Sequence, residues 1–246
     1  MKVEGTFTAL VTPFSPDAQR VDFAKLRKLA EWQIQAGVNG LVVLGSTGEH
    51  QAVTFEERMR IIAELTQAAK DSGVDGCMVV APYYNKPTQR GIFEHFKAVA
   101  EPETILKLSK IPNIVAIKDA TGGLDHAIAV SAMCDITLFA SNDVNALPMM
   151  AIGATGVMSI LSNIAPERVV ALTNAAMRGD FATARKIHLE NFFLAKALFL
   201  ESSPAPTKQM MELLGLCSAS VRMPLTKCSN ETIEKLKVVL KANNLF

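Results

Sequence analysis

The chain has 246 residues, 49% of them hydrophobic and only 6% aromatic, with 25 basic residues against 24 acidic ones. This length buries a sizeable core as one domain or two small ones, and apolar content dominated by Ala, Val, Ile, Leu and Met suits a parallel sheet wrapped in helices better than a β-sandwich. The +1 formal charge, spread without a basic stripe, argues against nucleic acid as a partner. No apolar run nears the roughly 18 residues that span a bilayer, and the N-terminus lacks a signal-peptide core with its cleavage site. The expected location is therefore the cytoplasm. Cys77, Cys134, Cys217 and Cys228 form no CxxC pair, as in a reduced cytoplasmic chain. His50, His95, His126 and His188 are isolated, so no metal is expected.

In chain order, short apolar runs alternate with amphipathic helical patterns. Thr6–Phe14 reads as a strand and Asp22–Ala36 as a helix closed by Gly37. Gly40–Leu44 is the second strand, followed by the turn Gly45-Ser-Thr-Gly-Glu-His50. Thr54-Phe-Glu-Glu57 is a capping box that opens a helix running to about Ser72. Gly76–Ala81 is a strand, Pro82–Thr88 its loop and Gln89–Glu101 a helix, after which Pro102 starts another. Asn113–Lys118 is a strand, Leu124–Met133 a helix, Ile136–Ala140 a strand, Val144–Ile152 a helix and Gly156–Ile160 a strand. Beyond Pro166 the pattern is helical through to Leu245.

Repeated βα units imply a parallel sheet with right-handed crossovers. Polar and glycine-rich signals fall where each strand ends, and no GxGxxG fingerprint appears, so a TIM-barrel-type (βα) barrel fits better than an open sheet. Only six strands are recognisable where such a barrel has eight. The chain divides into a barrel core, residues 1–165, and a C-terminal helical region, residues 166–246, packed on it.

Lys118 is the candidate for the chemistry. It ends a β-branched apolar strand expected to be buried on both faces. Burying an ammonium is costly, which lowers its pKa, and a neutral amine attacks a ketone or aldehyde to form a Schiff base. The plain structural reading is a lysine at a strand end that reaches solvent.

Gly45-Ser-Thr-Gly-Glu-His50, Pro82-Tyr-Tyr-Asn85 and Ile117-Lys-Asp-Ala-Thr-Gly122, in that order at successive strand ends, resemble the dihydrodipicolinate synthase family of the N-acetylneuraminate lyase superfamily, class I aldolases. Ser203-Pro-Ala-Pro206 and Arg222-Met-Pro-Leu225 extend the resemblance into the tail. It implies that Lys118 forms a Schiff base with pyruvate and that Ser46, Thr47 and Gly48 belong to the loop taking its carboxylate. Exposed amides near a helix start suit such an anion; the same residues also suit an ordinary polar turn. Ser46 stands where the family usually has threonine, and either hydroxyl serves a proton relay. The resemblance further implies that Tyr84 is a relay tyrosine offered across a tight dimer interface, with Tyr83 its interface neighbour. As plain structure, both are ordinary interface aromatics. Met158 falls at the apolar position beside pyruvate, although methionine is also common core packing. Ser141-Asn-Asp143 matches a pocket-lining loop. The implied second substrate is aspartate semialdehyde, the implied cofactor is none beyond the covalent lysine–pyruvate Schiff base, and the implied assembly is a homodimer or homotetramer.

Two departures stand out. The helix from Thr54 passes directly into Thr66-Gln-Ala-Ala-Lys-Asp-Ser-Gly73, and Ala98-Val-Ala-Glu101 passes directly into Pro102-Glu-Thr-Ile105. By the family pattern, the third and fifth strands are missing there, together with a second relay tyrosine and an arginine that binds the second substrate. Activity is accordingly expected to be impaired. A pyruvate-dependent aldolase acting on N-acetylneuraminate or a 2-keto-3-deoxy acid, and a non-catalytic paralogue or scaffold, are the competing readings.

Overall fold

The computed structural model of the chain describes residues 3–68, 102–111 and 114–246. Five of the six expected strands fall in these segments. The strand expected at Gly76–Ala81, its loop and the helix expected at Gln89–Glu101 lie outside the described residues.

The strands are β1 (Gly5–Ala9), β2 (Gly40–Val42), β3 (Ala116–Asp119), β4 (Thr137–Ala140) and β5 (Gly156–Ser159). All pair in parallel, in the order β2-β1-β5-β4-β3. Walking from β3 gives β3, β4, β5, β1, β2: chain order with the last strand joined to the first. That junction is the seam by which a (βα) barrel closes, so the sheet is an arc of a TIM-barrel-type fold.

Register fixes the faces, because paired residues on neighbouring parallel strands point the same way. Lys118 pairs with Phe139, Phe139 with Gly156, Gly5 with Gly156, and Phe7 with both Met158 and Gly40. Lys118, Phe139, Met158 and Phe7 therefore share one face. The opposite face meets helices. Thr8 donates to Gln33 of α1 (Phe23–Gln35) at 2.6 Å, and the Thr6 hydroxyl lies 2.8 Å from that of Thr173 in α6 (Pro166–Met177). Lys118 thus stands on the concave, interior side. Glycine makes room there: a Cβ on Gly40 would lie 2.3 Å from the Phe7 ring, and one on Gly156 would lie 1.9 Å from the Gly5 carbonyl oxygen. In the space left, Phe7 and Phe139 meet edge to face at 5.2 Å.

The helices follow their caps. Asp22 accepts from the Lys25 amide and starts α1. Both arms of the capping box form at α2 (Phe55–Ala68): Glu57 accepts from the Thr54 amide at 3.0 Å, and the Thr54 hydroxyl accepts from the Glu57 amide at 3.2 Å. Next come α3 (Pro102–Leu108), α4 (Leu124–Met133) and α5 (Ala146–Ala151), the last preceded by a 3₁₀ turn at Asp143–Asn145. After α6 come α7 (Phe181–Ala197), α8 (Ala205–Leu213) and α9 (Asn230–Ala242).

Two strand expectations are corrected. The first strand stops at Ala9 rather than Phe14, because the chain leaves the ladder for side-chain and loop partners. The Val11 amide donates to Asn163, and the Thr12 hydroxyl donates to the Gly48 carbonyl. The lysine strand begins at Ala116 rather than Asn113, after a turn in which the Ile114 amide donates to the Ile111 carbonyl. Nor is that strand buried on both faces: Ala116, Ile117 and Lys118 are half-buried and only Asp119 is buried. Among the described residues β3 is an edge strand, paired with β4 alone.

Candidate active site

The five strands are parallel, so their C-terminal ends lie on one edge, where ligand sites of such barrels gather. Lys118 reaches that edge from the interior. Burial pushes its ammonium below the usual lysine range, and the negative charge of Asp143 offsets part of the effect. Its neighbour Asp119 points the other way and anchors the loop that follows. Asp119 accepts from the amide and hydroxyl of Thr121, at 2.9 and 2.6 Å, and sits 2.9 Å from His126 Nδ1 on α4. Burial alone would raise the Asp119 pKa, but these hydrogen bonds outweigh it and hold the carboxyl low.

Asp143 follows β4 and is buried. Its carboxylate accepts from the Ser159 hydroxyl and from the amides of Ile160 and Leu161, at 3.0 and 2.9 Å. The loop after β4 is thereby stapled to the end of β5. Burial pushes the Asp143 carboxyl up against the pull of those donors. Behind it lies a cavity of about 10 Å³, room for one water, lined by Asp143, Val144, His188 and Asn191 among others. Asn191 Nδ2 is buried there without a hydrogen-bond partner among the described residues. The His188 imidazole is pushed below its usual pKa by burial, although a bond to the Val144 backbone opposes this.

The Gly45–His50 turn follows β2 on the same edge. Two non-glycine residues in the left-handed region bracket it: Leu44 with φ 56° and Glu49 with φ 52°. The amides of Gly48 and Glu49 close on the carbonyls of Gly45 and Ser46, at 3.0 and 3.1 Å. A Cβ on Gly48 would stand 3.0 Å from the Leu44 amide nitrogen and 3.3 Å from the Leu10 carbonyl, so this glycine allows close backbone packing. Ser46 is exposed at the tip, while Thr47, Gly48 and Glu49 are buried.

Glu49 is a residue that sequence reasoning left without a role. Its carboxylate takes the ammonium of Lys208 from α8, both side chains fully buried, and accepts the Arg222 amide at 3.0 Å. Lys208 also donates to the Ser220 carbonyl at 2.9 Å and lies 4.1 Å from the centre of the Phe14 ring. Arg222, noted as part of a tail motif, forks onto Glu57 at 2.6 and 2.7 Å and donates to the carbonyls of Ala18, Gln19 and Ala52. Lys208 is the single lysine of a helix whose residues Ala205 to Met211 are all buried, a placement that a lysine takes only with a partner.

Among the expected site residues, then, Lys118 and Met158 share the concave face, and Ser46, Thr47 and Gly48 form a strained turn on the same edge. Tyr83 and Tyr84 lie outside the described residues. Among the described residues no three His, Cys, Asp or Glu side chains cluster as a metal site, and Cys134, Cys217 and Cys228 are free thiols.

The fold and the placement of Lys118 are those of a (βα) barrel with an amine at its functional edge. The sequence pattern of the Dihydrodipicolinate synthetase family matches residues 2–64, 63–104 and 101–243. The chain belongs to that family. It is 37% identical to the 4-hydroxy-tetrahydrodipicolinate synthase of Geobacter metallireducens over 290 residues, covering 99% of each chain. Its fold superposes on the crystal structure of dihydrodipicolinate synthase from Aquifex aeolicus with TM-score 0.92 and 35% identity, over 99% of both chains. It also superposes on the chloride-inhibited dihydrodipicolinate synthase from Acinetobacter baumannii complexed with pyruvate, with TM-score 0.92 and 32% identity over 100% of both. The three matched stretches meet at residues 63–64 and 101–104, the regions where one expected helix runs directly into another. The Geobacter alignment spans 290 positions against 246 residues in this chain, so the relative carries segments with no counterpart here.

Proposed function

We propose that this chain is a lyase of the Schiff-base type that condenses pyruvate with aspartate semialdehyde to 4-hydroxy-tetrahydrodipicolinate, in lysine and diaminopimelate biosynthesis. The observation that carries the reading is the desolvated Lys118 on the concave face at the functional edge. Neutral Nζ adds to the pyruvate ketone, and the carbinolamine loses water to give an iminium ion. Loss of a methyl proton converts this to an enamine, the iminium nitrogen serving as the electron sink without a metal or other cofactor. The enamine carbon forms the new C–C bond with the aldehyde, whose oxygen takes up a proton. The substrate amine then closes on the iminium carbon and releases Lys118.

In this reading the turn of Ser46, Thr47 and Gly48 takes the pyruvate carboxylate, Ser46 and Tyr84 move protons, and Met158 packs beside the bound carbon skeleton. Tyr83 and Tyr84 support a homodimer, or a tetramer of two dimers, as the working assembly. A biosynthetic role of this kind fits the cytoplasm, and no helix among the described residues is long and apolar enough to cross a membrane. The segments without a counterpart remove, by family resemblance, a relay tyrosine and a substrate arginine. Turnover is therefore reduced relative to Schiff-base formation, since one general acid–base group typically contributes about 10²–10⁴-fold. The sugar-acid aldolase reading is less well supported, because the matched relatives are named 4-hydroxy-tetrahydrodipicolinate synthases.

The test is turnover with pyruvate and aspartate semialdehyde beside cleavage of N-acetylneuraminate and 2-keto-3-deoxy acids. Cyclic product from the first pair supports the assignment. Cleavage of a sugar acid without it refutes the assignment.

A further inference from the structure

Glu49 occupies a left-handed backbone conformation that is strained for a non-glycine residue and persists only where its surroundings over-determine it. Those surroundings come from the other end of the chain. Lys208 of α8 and the Arg222 amide grip the two oxygens of its carboxylate, and Lys208 is held in turn by the Ser220 carbonyl and the Phe14 ring. On the near side of the turn, the Thr12 hydroxyl donates to the Gly48 carbonyl at 2.7 Å. A buried ion pair is a weak source of stability but a strong source of geometry, since neither charge tolerates displacement from its partner.

We propose that Glu49 and Lys208 are positioning residues: their buried ion pair holds the Gly45–Gly48 turn in the bend that receives the pyruvate carboxylate. This rests on the reading of that turn as the carboxylate loop. It gives α8 an indirect part in substrate binding, since neither side chain touches substrate.

The test compares wild type, Lys208→Met and the double variant Glu49→Gln/Lys208→Met by the pyruvate concentration that half-saturates borohydride trapping, with thermal melts alongside. Lys208→Met leaves a buried carboxylate unpaired, so both melting temperature and pyruvate affinity fall. The double variant replaces the pair with neutral groups of similar volume and regains melting temperature. Its half-saturating pyruvate concentration stays raised by about ten- to hundredfold, the cost of a misplaced binding group. A double variant with wild-type half-saturation overturns the proposal, because the pair is then structural only. If wild type itself is not trapped by pyruvate, the reading of the loop fails, and a crystal structure of the double variant decides the inference. Departure of residue 49 from the left-handed region supports it, and an unchanged turn overturns it.

Discussion

Lys118 of β3 and Phe139 of β4 are register partners on the concave face, and Phe139 is fully buried, edge-on to Phe7. The ring is an apolar shield on the lysine's side of the sheet, and burial is what lowers the pKa of the amine, against the charge of Asp143.

Phe139→Leu thins that shield. The expected outcome is a loss of about 1–2 kcal/mol of stability and a shift of the pyruvate-trapping profile to higher pH, since better hydration favours the ammonium. Borohydride trapping across pH and a thermal melt check both parts.

Asp143→Asn moves the same profile the other way. The carboxylate is the one opposing influence on the Lys118 pKa among the described residues, and removing its negative charge disfavours the ammonium further. Trapping then persists to lower pH than in wild type, and a shift to higher pH would show that Asp143 does not act on the amine electrostatically.

Glu57 yields a stability prediction with a definite sign. The Arg222 fork holds its carboxyl below the usual glutamate range, helped by the Thr54 amide and opposed by burial. A depressed folded pKa contributes stability above the unfolded value near 4.3 and loses it as pH falls through the folded value. Glu57→Gln is therefore expected to lower stability by about 2 kcal/mol at neutral pH, with the gap to wild type closing in acid. Thermal melts of both proteins down the acid range measure it.

Asn191→Leu should stabilise. The side chain lines the one-water cavity behind Asp143 with Nδ2 unpartnered, and its oxygen meets Arg168 only at 3.4 Å. An apolar side chain removes the unsatisfied donor and fills the void, a gain of about 1 kcal/mol. A lower melting temperature would mean that the amide is satisfied in solution.

Local signals were read well from the sequence and distant ones poorly. The capping box at Thr54 and Glu57 forms both its bonds, and the helix expected at Leu124–Met133 has those limits, because caps and 3.6-residue periodicity are written within one turn of the chain. The lysine strand starts three residues late because a β-branched run does not reveal that Ile114 is still engaged in a turn. Lys118 was legible because a charge ending an apolar strand conflicts with its surroundings. Glu49 and Lys208 were not, since their pairing joins residues 159 positions apart and neither has a local pattern that names the other.

The central claim is that Lys118 is the amine that captures pyruvate. Intact mass after pyruvate and borohydride treatment, followed by peptide mapping, addresses it most directly. A single reduced pyruvate adduct on the peptide carrying Lys118, absent in Lys118→Ala, is the predicted result. A folded protein that takes up no adduct, or takes it up at another lysine, contradicts the account.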